Sequence, residues 1–361
     1  MKSPSPKRNT WQRLKKNKGA VAGLVVIGLS VVLAIFCYFI APDGSPNANR
    51  MIVEIGGRKP GTKQLFLLLP KEKKITNPGI SKQLFAGKED SYLYIPINSY
   101  RRVGDTLTIQ KYIDDDVQES FNYFVGNNQK KHTYKIVSQT FFLGTDKYGR
   151  DIFSRLLIGV RVSLAVGLIT VIISLVIGII LGAVAGYFRG KWDDAIMWFI
   201  NVIWSIPTLL LVFAITLLLG KGFWQVFIAI GLTMWVNVAR IVRGQILGIR
   251  ELEYVEAAKA LGYSHFRIIS RHVLPNVMGP VMVVAAANFA AAIVIEAGLS
   301  FLGVGVQPPQ PSWGLMIKEN YNFIITQNPM LALAPGFAIM LLVLAFNMLG
   351  NGLRDALQVK E

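Results

Sequence analysis

The chain has 361 residues, 52% hydrophobic and only 16% charged, with a mean hydropathy of +0.43; this balance excludes an ordinary soluble domain and fits a polytopic membrane protein. The formal net charge of +17 invites a nucleic-acid reading. No zinc-ligand cluster or nucleic-acid-binding motif accompanies it, and many basic residues flank apolar runs, so membrane orientation and anionic lipid account for the charge. A single cysteine, Cys37, lies inside an apolar run and excludes an intrachain disulfide.

Residues 1–19 carry Lys2, Lys7, Arg8, Arg13, Lys15, Lys16 and Lys18 without an acid. Ala20 to Ile40 follows as an apolar run long enough for about 30 Å of hydrocarbon. It is too long for a signal-peptide core, and Ala41-Pro42 is a poor cleavage site, so it reads as an uncleaved first span. Between residues 42 and 140 the character changes. Short β-rich runs at Met51–Ile55, Gln64–Leu69, Tyr92–Ile97, Thr106–Ile113, Phe121–Val125 and Thr133–Val137 alternate with turns such as Gly56-Gly57, Asn77-Pro78-Gly79 and Gly126-Asn127-Asn128. They predict a small β-rich domain outside the membrane. Asp114, Asp115, Asp116 and Glu119 lack the ligand spacing and the Gly of a calcium loop, and read as a solvated acidic turn.

Leu143–Asp151, LGTDKYGRD, is the next distinctive stretch. Thr145 and Asp146 suit a turn, Gly149 a left-handed position, and Asp151 an N-cap for a helix over Ile152–Ile158 that lies along the outer membrane face. The motif as a whole (Gly144, Thr145, Asp146, Gly149, Arg150 and Asp151) reads as structural, fixing how the chain re-enters the bilayer. Five further apolar stretches follow at about 160–186, 195–219, 223–242, 277–300 and 330–350, six with the first. Gly167, Gly178, Gly182 and Gly186 allow close helix packing in the second. Pro207 should kink the third near its middle, either as a gating bend or as a static packing feature. Glu296, deep in the fifth, is a functional candidate as an intramembrane acid, or a group near the outer end hydrogen-bonded to backbone. In the loop after it, prolines stiffen an entrance-side segment and Trp313 suits the interface.

Between the fourth and fifth apolar stretches lies a charged, amphipathic interruption, Glu251–Pro280. Leu252, Val255 and Ala258 recur at helical spacing and Gly262 supplies a left-handed cap. Ser264 caps a second helix carrying Phe266, Ile269 and Val273, which Pro275 stops. A plain connector needs no apolar faces, so the loop is built either to be gripped by a partner or to lie on headgroups. Counting charges in short loops puts Arg189, Lys191, Arg240, Arg243, Arg250, Lys259, Arg267 and Arg271 on one side and only Lys221 and Lys318 on the other. That side is then cytoplasmic, together with both termini.

Glu256, Ala257, Ala258, Gly262, Leu274 and Pro275 resemble the Glu-Ala-Ala, Gly and Leu-Pro of the "EAA" loop of ABC importer permeases. The LGTDKYGRD stretch, its continuation through Arg161 and Ser163, and Val306–Gly314 resemble the oligopeptide, dipeptide and nickel branch. His272 stands where many such loops have Ile, and Asn351 replaces an Asp in a Gly-Asp-Gly-Leu-Arg-Asp ending. The resemblance implies an all-α polytopic fold of six transmembrane helices (the type I importer permease fold) with a β-rich extracytoplasmic insert between helices 1 and 2. Its parts are a cytoplasmic basic segment (1–19), a first span (20–41), the insert (42–141), a re-entry segment (142–158), a permease block (159–352) with its coupling loop at 244–276, and a tail (353–361). It further implies a bacterial inner-membrane location, a second permease subunit, two ABC ATPase subunits holding ATP and Mg, and an external solute-binding protein. The substrate implied is a peptide, with a nickel complex as the alternative within the family.

No Gly-x-x-x-x-Gly-Lys-Ser/Thr phosphate cradle occurs. His132, His265 and His272 form no zinc pattern, so neither a cofactor on this chain, a metal site nor enzymatic chemistry is expected. Two other readings remain at this point: a secondary transporter, which needs a coupling-ion site for which Glu296 is the lone candidate, and a membrane-anchored binding protein that uses the outer domain.

Overall fold

The computed structural model describes residues 6–71, 79–104, 106–114, 117–124, 134–220, 222–323 and 328–357. Asp115, Asp116, His132, Lys221, the Asn77-Pro78 turn and the turn at 126–128 lie outside the described residues. Helix α1 (Pro6–Lys16) ends at Asn17, whose side-chain oxygen accepts from the Ala20 N–H at 3.1 Å and so caps α2 (Lys18–Ile40).

Five strands follow: β1 (Thr62–Pro70), β2 (Tyr92–Val103), β3 (Thr106–Asp114), β4 (Val117–Phe124) and β5 (Lys135–Phe141), with helix α3 (Ile80–Ala86) between β1 and β2. They form one antiparallel sheet in the order β4-β3-β2-β1-β5. Alternation along β1 drives it. Phe66 and Leu68 pack with Ile52, Ile55, Tyr112 and Phe141 on one face, while Leu67 packs with Ile97, Leu107 and Ile109 on the other. Met51–Ile55, expected to be a strand, is instead a 3-10 turn at Val53–Ile55. Its buried residues are Ile52 and Ile55, whereas Met51 and Val53 are exposed, a spacing of three rather than two.

From Ile152 the chain is helical: α4 (Ile152–Phe188), α5 (Gly190–Trp204), α6 (Thr208–Leu219), α7 (Phe223–Ile249), α8 (Glu253–Ala260), α9 (His265–Ile268), a π-helical turn (Ile269–Val273), α10 (Leu274–Leu302), α11 (Trp313–Asn320) and α12 (Met330–Leu357). The separate re-entry helix expected over Ile152–Ile158 is not there. Nothing between Ile158 and Val162 breaks the helix, so α4 runs unbroken for 37 residues. Among the described residues α2, α4, α7, α10 with its preceding turns, and α12 are long and apolar enough to cross a membrane; α5 and α6 pass the same test only as a pair bent by 92°.

The chain divides into two compact units, Met1–Val31 with Ser163–Gln307 and Ala338–Glu361, and Val32–Val162 with Pro308–Phe337. In the first, α4 lies against α7 along a glycine stripe. A Cβ on Gly178 would stand 2.5 Å from Val238, and one on Gly182 2.5 Å from the Ala239 carbonyl, so only the bare backbone allows this approach. Helix α7 reaches Ile249, which places Arg240 and Arg243 inside a helix rather than in the loop assigned to them from sequence. In the second unit Trp313 is 3% exposed, its ring against Gly159 and its Nε1 donating to the Leu156 carbonyl at 3.1 Å. It is an internal packing residue there, not one set at a lipid interface.

Candidate functional site

The Glu251–Pro280 stretch folds as two short helices joined at Gly262, whose φ of +75° is the left-handed cap expected of it. Ser264 Oγ accepts from the Arg267 N–H and caps α9. The stretch is held from below by Val255, Ala258, Ile268 and Val273, which are buried with Val242, Ile246 and Val277 in one cluster. Tyr187 Oη meets His265 Nδ1 at 3.0 Å, Arg250 donates to the Tyr187 carbonyl at 2.6 Å, and Arg189 pairs with Glu251 at 2.5 Å. What remains outside is distinctive. Glu256 and Ala257 are exposed, Leu261 is 73% exposed and Phe266 81%. Two expectations change. Leu252, grouped by spacing with Val255 and Ala258, is 47% exposed and stays outside the core those two enter. Phe266 leaves the buried face, which Ile268 takes over.

Pro275 does not stop the second helix. The chain continues through a π-turn into α10, with Leu274 and Pro275 in its first turn. A proline lacks an N–H and crowds the carbonyl four residues back. The wide turn just before it accommodates both defects, so loop and span form one continuous helical rod over His265–Leu302.

Pro207 lies at the 92° break between α5 and α6. The expected kink is therefore a full interruption, eased by Ser205 Oγ, which donates to the Val202 carbonyl at 2.7 Å. Glu296 is 1% exposed. Its Oε1 accepts from Ser300 Oγ at 2.6 Å, and Ser300 Oγ accepts from the Val306 N–H at 3.0 Å, so the acid ties the end of α10 to the turn beyond it.

The LGTDKYGRD motif belongs to the second unit. Gly144 and Gly149 both have positive φ. Thr145 Oγ1 donates to the Ile55 carbonyl and accepts from the Arg58 N–H at 2.9 Å. Asp146 accepts from the Tyr148 and Arg150 N–H groups and from Arg150 Nε at 2.6 Å. Asp151 accepts from both the N–H and the Oγ of Ser154, the cap read from sequence. Burial raises the Asp151 pKa, with the Ser154 hydrogen bonds opposing it. Sequence reasoning missed Glu319, 169 residues away, which takes Arg150 Nη2 at 2.8 Å and Arg155 Nη2 at 3.4 Å. It also missed Asp43, whose N–H donates to Ser154 Oγ and whose carboxylate meets Arg50. Arg50 is paired at 2.6 Å with Asp90. Burial works against its charge, but the Asp90 hydrogen bonds and the two carboxylates outweigh it and raise the pKa.

Residues 178–360 match the family described as the binding-protein-dependent transport system inner membrane component. Residues 5–52 match the N-terminal TM domain of oligopeptide transport permease C. The five strands fall between the two matches. The chain is similar to the glutathione transport system permease protein GsiD of Pectobacterium atrosepticum, 41% identical over 62% of this chain and 74% of that one. It is also similar to the dipeptide transport system permease protein DppC of Bacillus subtilis, 44% identical over 61% of this chain and 68% of that one. A solved inward-facing MetNI methionine ABC transporter aligns with 56% of this chain and 96% of its own at a TM-score of 0.47 and 19% identity. With half the chain inside the family match and relatives covered over more than two thirds of their length, this chain belongs to the binding-protein-dependent inner membrane components, as a permease of the oligopeptide/dipeptide/nickel branch of ABC importers rather than an enzyme.

Proposed function

We propose that the chain forms half of a translocation pathway for peptides and that the loop at 244–276 receives the stroke of a cytoplasmic ATPase. The observation that carries this is the asymmetry of that loop. Its inner face is anchored in the α7–α10 core, while Leu261 and Phe266 stand exposed beside Glu256 and Ala257. Exposed apolar groups on a rigidly anchored knob are the pattern of an amphipathic element seated in a partner's groove. The continuity of α9, the π-turn and α10 supports mechanical transmission into a membrane-crossing helix.

Peptide is favoured over a nickel complex because the similar permeases are named for dipeptides and for glutathione, itself a tripeptide. In this reading the bent α5–α6 pair is one crossing and makes six, both termini and the loop are cytoplasmic, and the β-rich insert at 42–141 stands outside, against the solute-binding protein. A second permease completes the pathway, and two ATPase subunits hold ATP and Mg. Pro207 and Glu296 then flank the moving parts, and the LGTDKYGRD motif fixes re-entry into the bilayer.

The test is co-purification with the ATPase. Glu256→Arg with Gly262→Pro, which forbids the positive φ at 262, should abolish it. Retained ATPase in that double variant rejects the loop assignment. Deletion of 45–138 should reduce uptake and leave membrane assembly intact; unchanged uptake rejects the role given to the insert.

A further inference from the structure

A cavity of about 180 Å³ opens at the break between α5 and α6. Trp204, Thr208, Thr233, Met234 and Asn237 line it, and Ile295 of α10 closes one side. Thr233 and Asn237 stand near the middle of the 27-residue α7. Thr233 Oγ1 already donates to the Ile230 carbonyl at 2.8 Å and keeps only its acceptor side for a ligand, whereas Asn237 is exposed; polar side chains at that depth are costly against lipid. Thr208 is the first residue of α6, a helix that starts without a side-chain cap. With Thr208 and Leu211 in the lining, the start of α6 and the positive end of its dipole border the cavity.

One charge stands beside it, at the Trp204 ring rather than among the lining residues. Arg240, one turn beyond Asn237 on α7, lays its guanidinium on the Trp204 ring at 3.6 Å from the centroid and donates Nη2 to Asn201 at 3.0 Å. Its Nε is buried without a hydrogen-bond partner, and among the described residues no carboxylate lies within ion-pair distance of it. The neighbouring arginines differ: Arg243 grips Asp193 through two bonds of 2.5 and 2.7 Å, and Arg189 pairs with Glu251. A guanidinium held flat on an indole and left without an anion is a receptor for a carboxylate.

We propose that this cavity binds the carboxylate-bearing end of a transported peptide. Arg240 and the start of α6 take the carboxylate, Thr208, Thr233 and Asn237 pair with backbone amides, and Trp204 covers the apolar part of the last residue. This explains how a pathway recognises peptides through groups that every peptide shares. The proposal rests on the peptide reading above.

The test uses the complete importer in vesicles, with trialanine and trialanine amide as probes. The binding protein is the same in every arm, so differences between variants belong to the permease. Arg240→Gln should raise the KM for trialanine about tenfold, the loss of one charge-assisted bond, and leave that for the amide nearly unchanged. Arg240→Lys should restore part of the difference. Equal effects on both probes, no effect on either, or loss of the assembled complex would each overturn the assignment, the last by placing Arg240 at a subunit contact. Thr208→Val, which alters no charge, should raise the KM for both probes, and unchanged values overturn the cavity's role. Absence of ATP-driven uptake of both probes by the unaltered complex rejects the peptide reading itself, and this proposal with it.

Discussion

Replacing Arg150 by Met tests how the LGTDKYGRD motif is held. Arg150 and Asp146 have side chains only 2% and 1% exposed, and they meet at 2.6 Å. Methionine roughly keeps the length of the side chain but removes the charge. Asp146 then keeps its two backbone N–H donors and loses its counter-ion, and Glu319 loses the nearer of its two arginines. Removing one member of a buried pair costs about 3–5 kcal/mol, because the other charge stays buried. The surviving N–H bonds put this case near the lower end. At 1.4 kcal/mol per decade, amides of the motif should exchange with deuterium roughly a hundredfold faster. The control is Arg189→Met, which breaks a pair whose side chains are 43% and 64% exposed and should change little. Mass-spectrometric exchange over peptides containing Tyr148–Ser154 makes the measurement. Equal exchange in Arg150→Met and the native chain would show that the ion pair is not what holds the motif.

Other outcomes follow from the same geometry. Gly182→Val drives a methyl-bearing carbon into the Ala239 carbonyl and should cost about 1–3 kcal/mol of thermal stability in detergent, whereas Gly248→Ala, with nothing within 4 Å, should be neutral or stabilising. Asp151 has a raised pKa in the fold, so its contribution is present below about pH 4 and is lost as pH rises through the raised value. Asp151→Asn should therefore gain on the native chain in melting temperature between pH 4 and pH 7, and a constant difference would count against the burial argument. Ser264→Ala removes the α9 cap and should cost about 1 kcal/mol, read as faster exchange at Arg267 and Ile268 without loss of α10 protection.

Local rules carried much of the fold into view before any coordinates. Apolar length located, among the described residues, five helices long enough to cross a membrane, with the stretch at 195–219 broken in two; alternation located β1 to β5, and Gly262, Ser264 and Asp151 took the backbone roles their chemistry favours. The failures have specific causes. The run at Met51–Ile55 is β-branched, yet its packing partners lie on one side only, and a turn serves that better. Pro275 is a breaker by local rule, but a π-turn upstream removes the conflict. Arg240 was counted as loop charge because charge alone cannot separate a helix end from a helix interior beside a cavity. Glu319 was out of reach, since no local pattern links a carboxylate to an arginine 169 residues earlier. For the loop at 244–276, the residue types were legible and their exposure was not. Leu252, Val255 and Ala258 share one helical spacing in sequence, and only the packing beneath α8 shows that Leu252 is left out of it.

Asn17 donates to Asp355 across 338 positions of sequence. Nearby, Ala20 fills the space left by Gly352, and a Cβ on Gly23 would stand 2.5 Å from the Ala345 carbonyl. Although Cys37 and Tyr38 near the other end of α2 pack against Leu157 and Ile158 of α4, the first half of α2 thus finds this neighbour only once α12 has been synthesised. Until then its small-residue face has nothing to rest on but lipid or a chaperone, and closing that seam is a late step of biogenesis. A side chain added at Gly352 would consequently unsettle the start of α2, at the far end of the sequence.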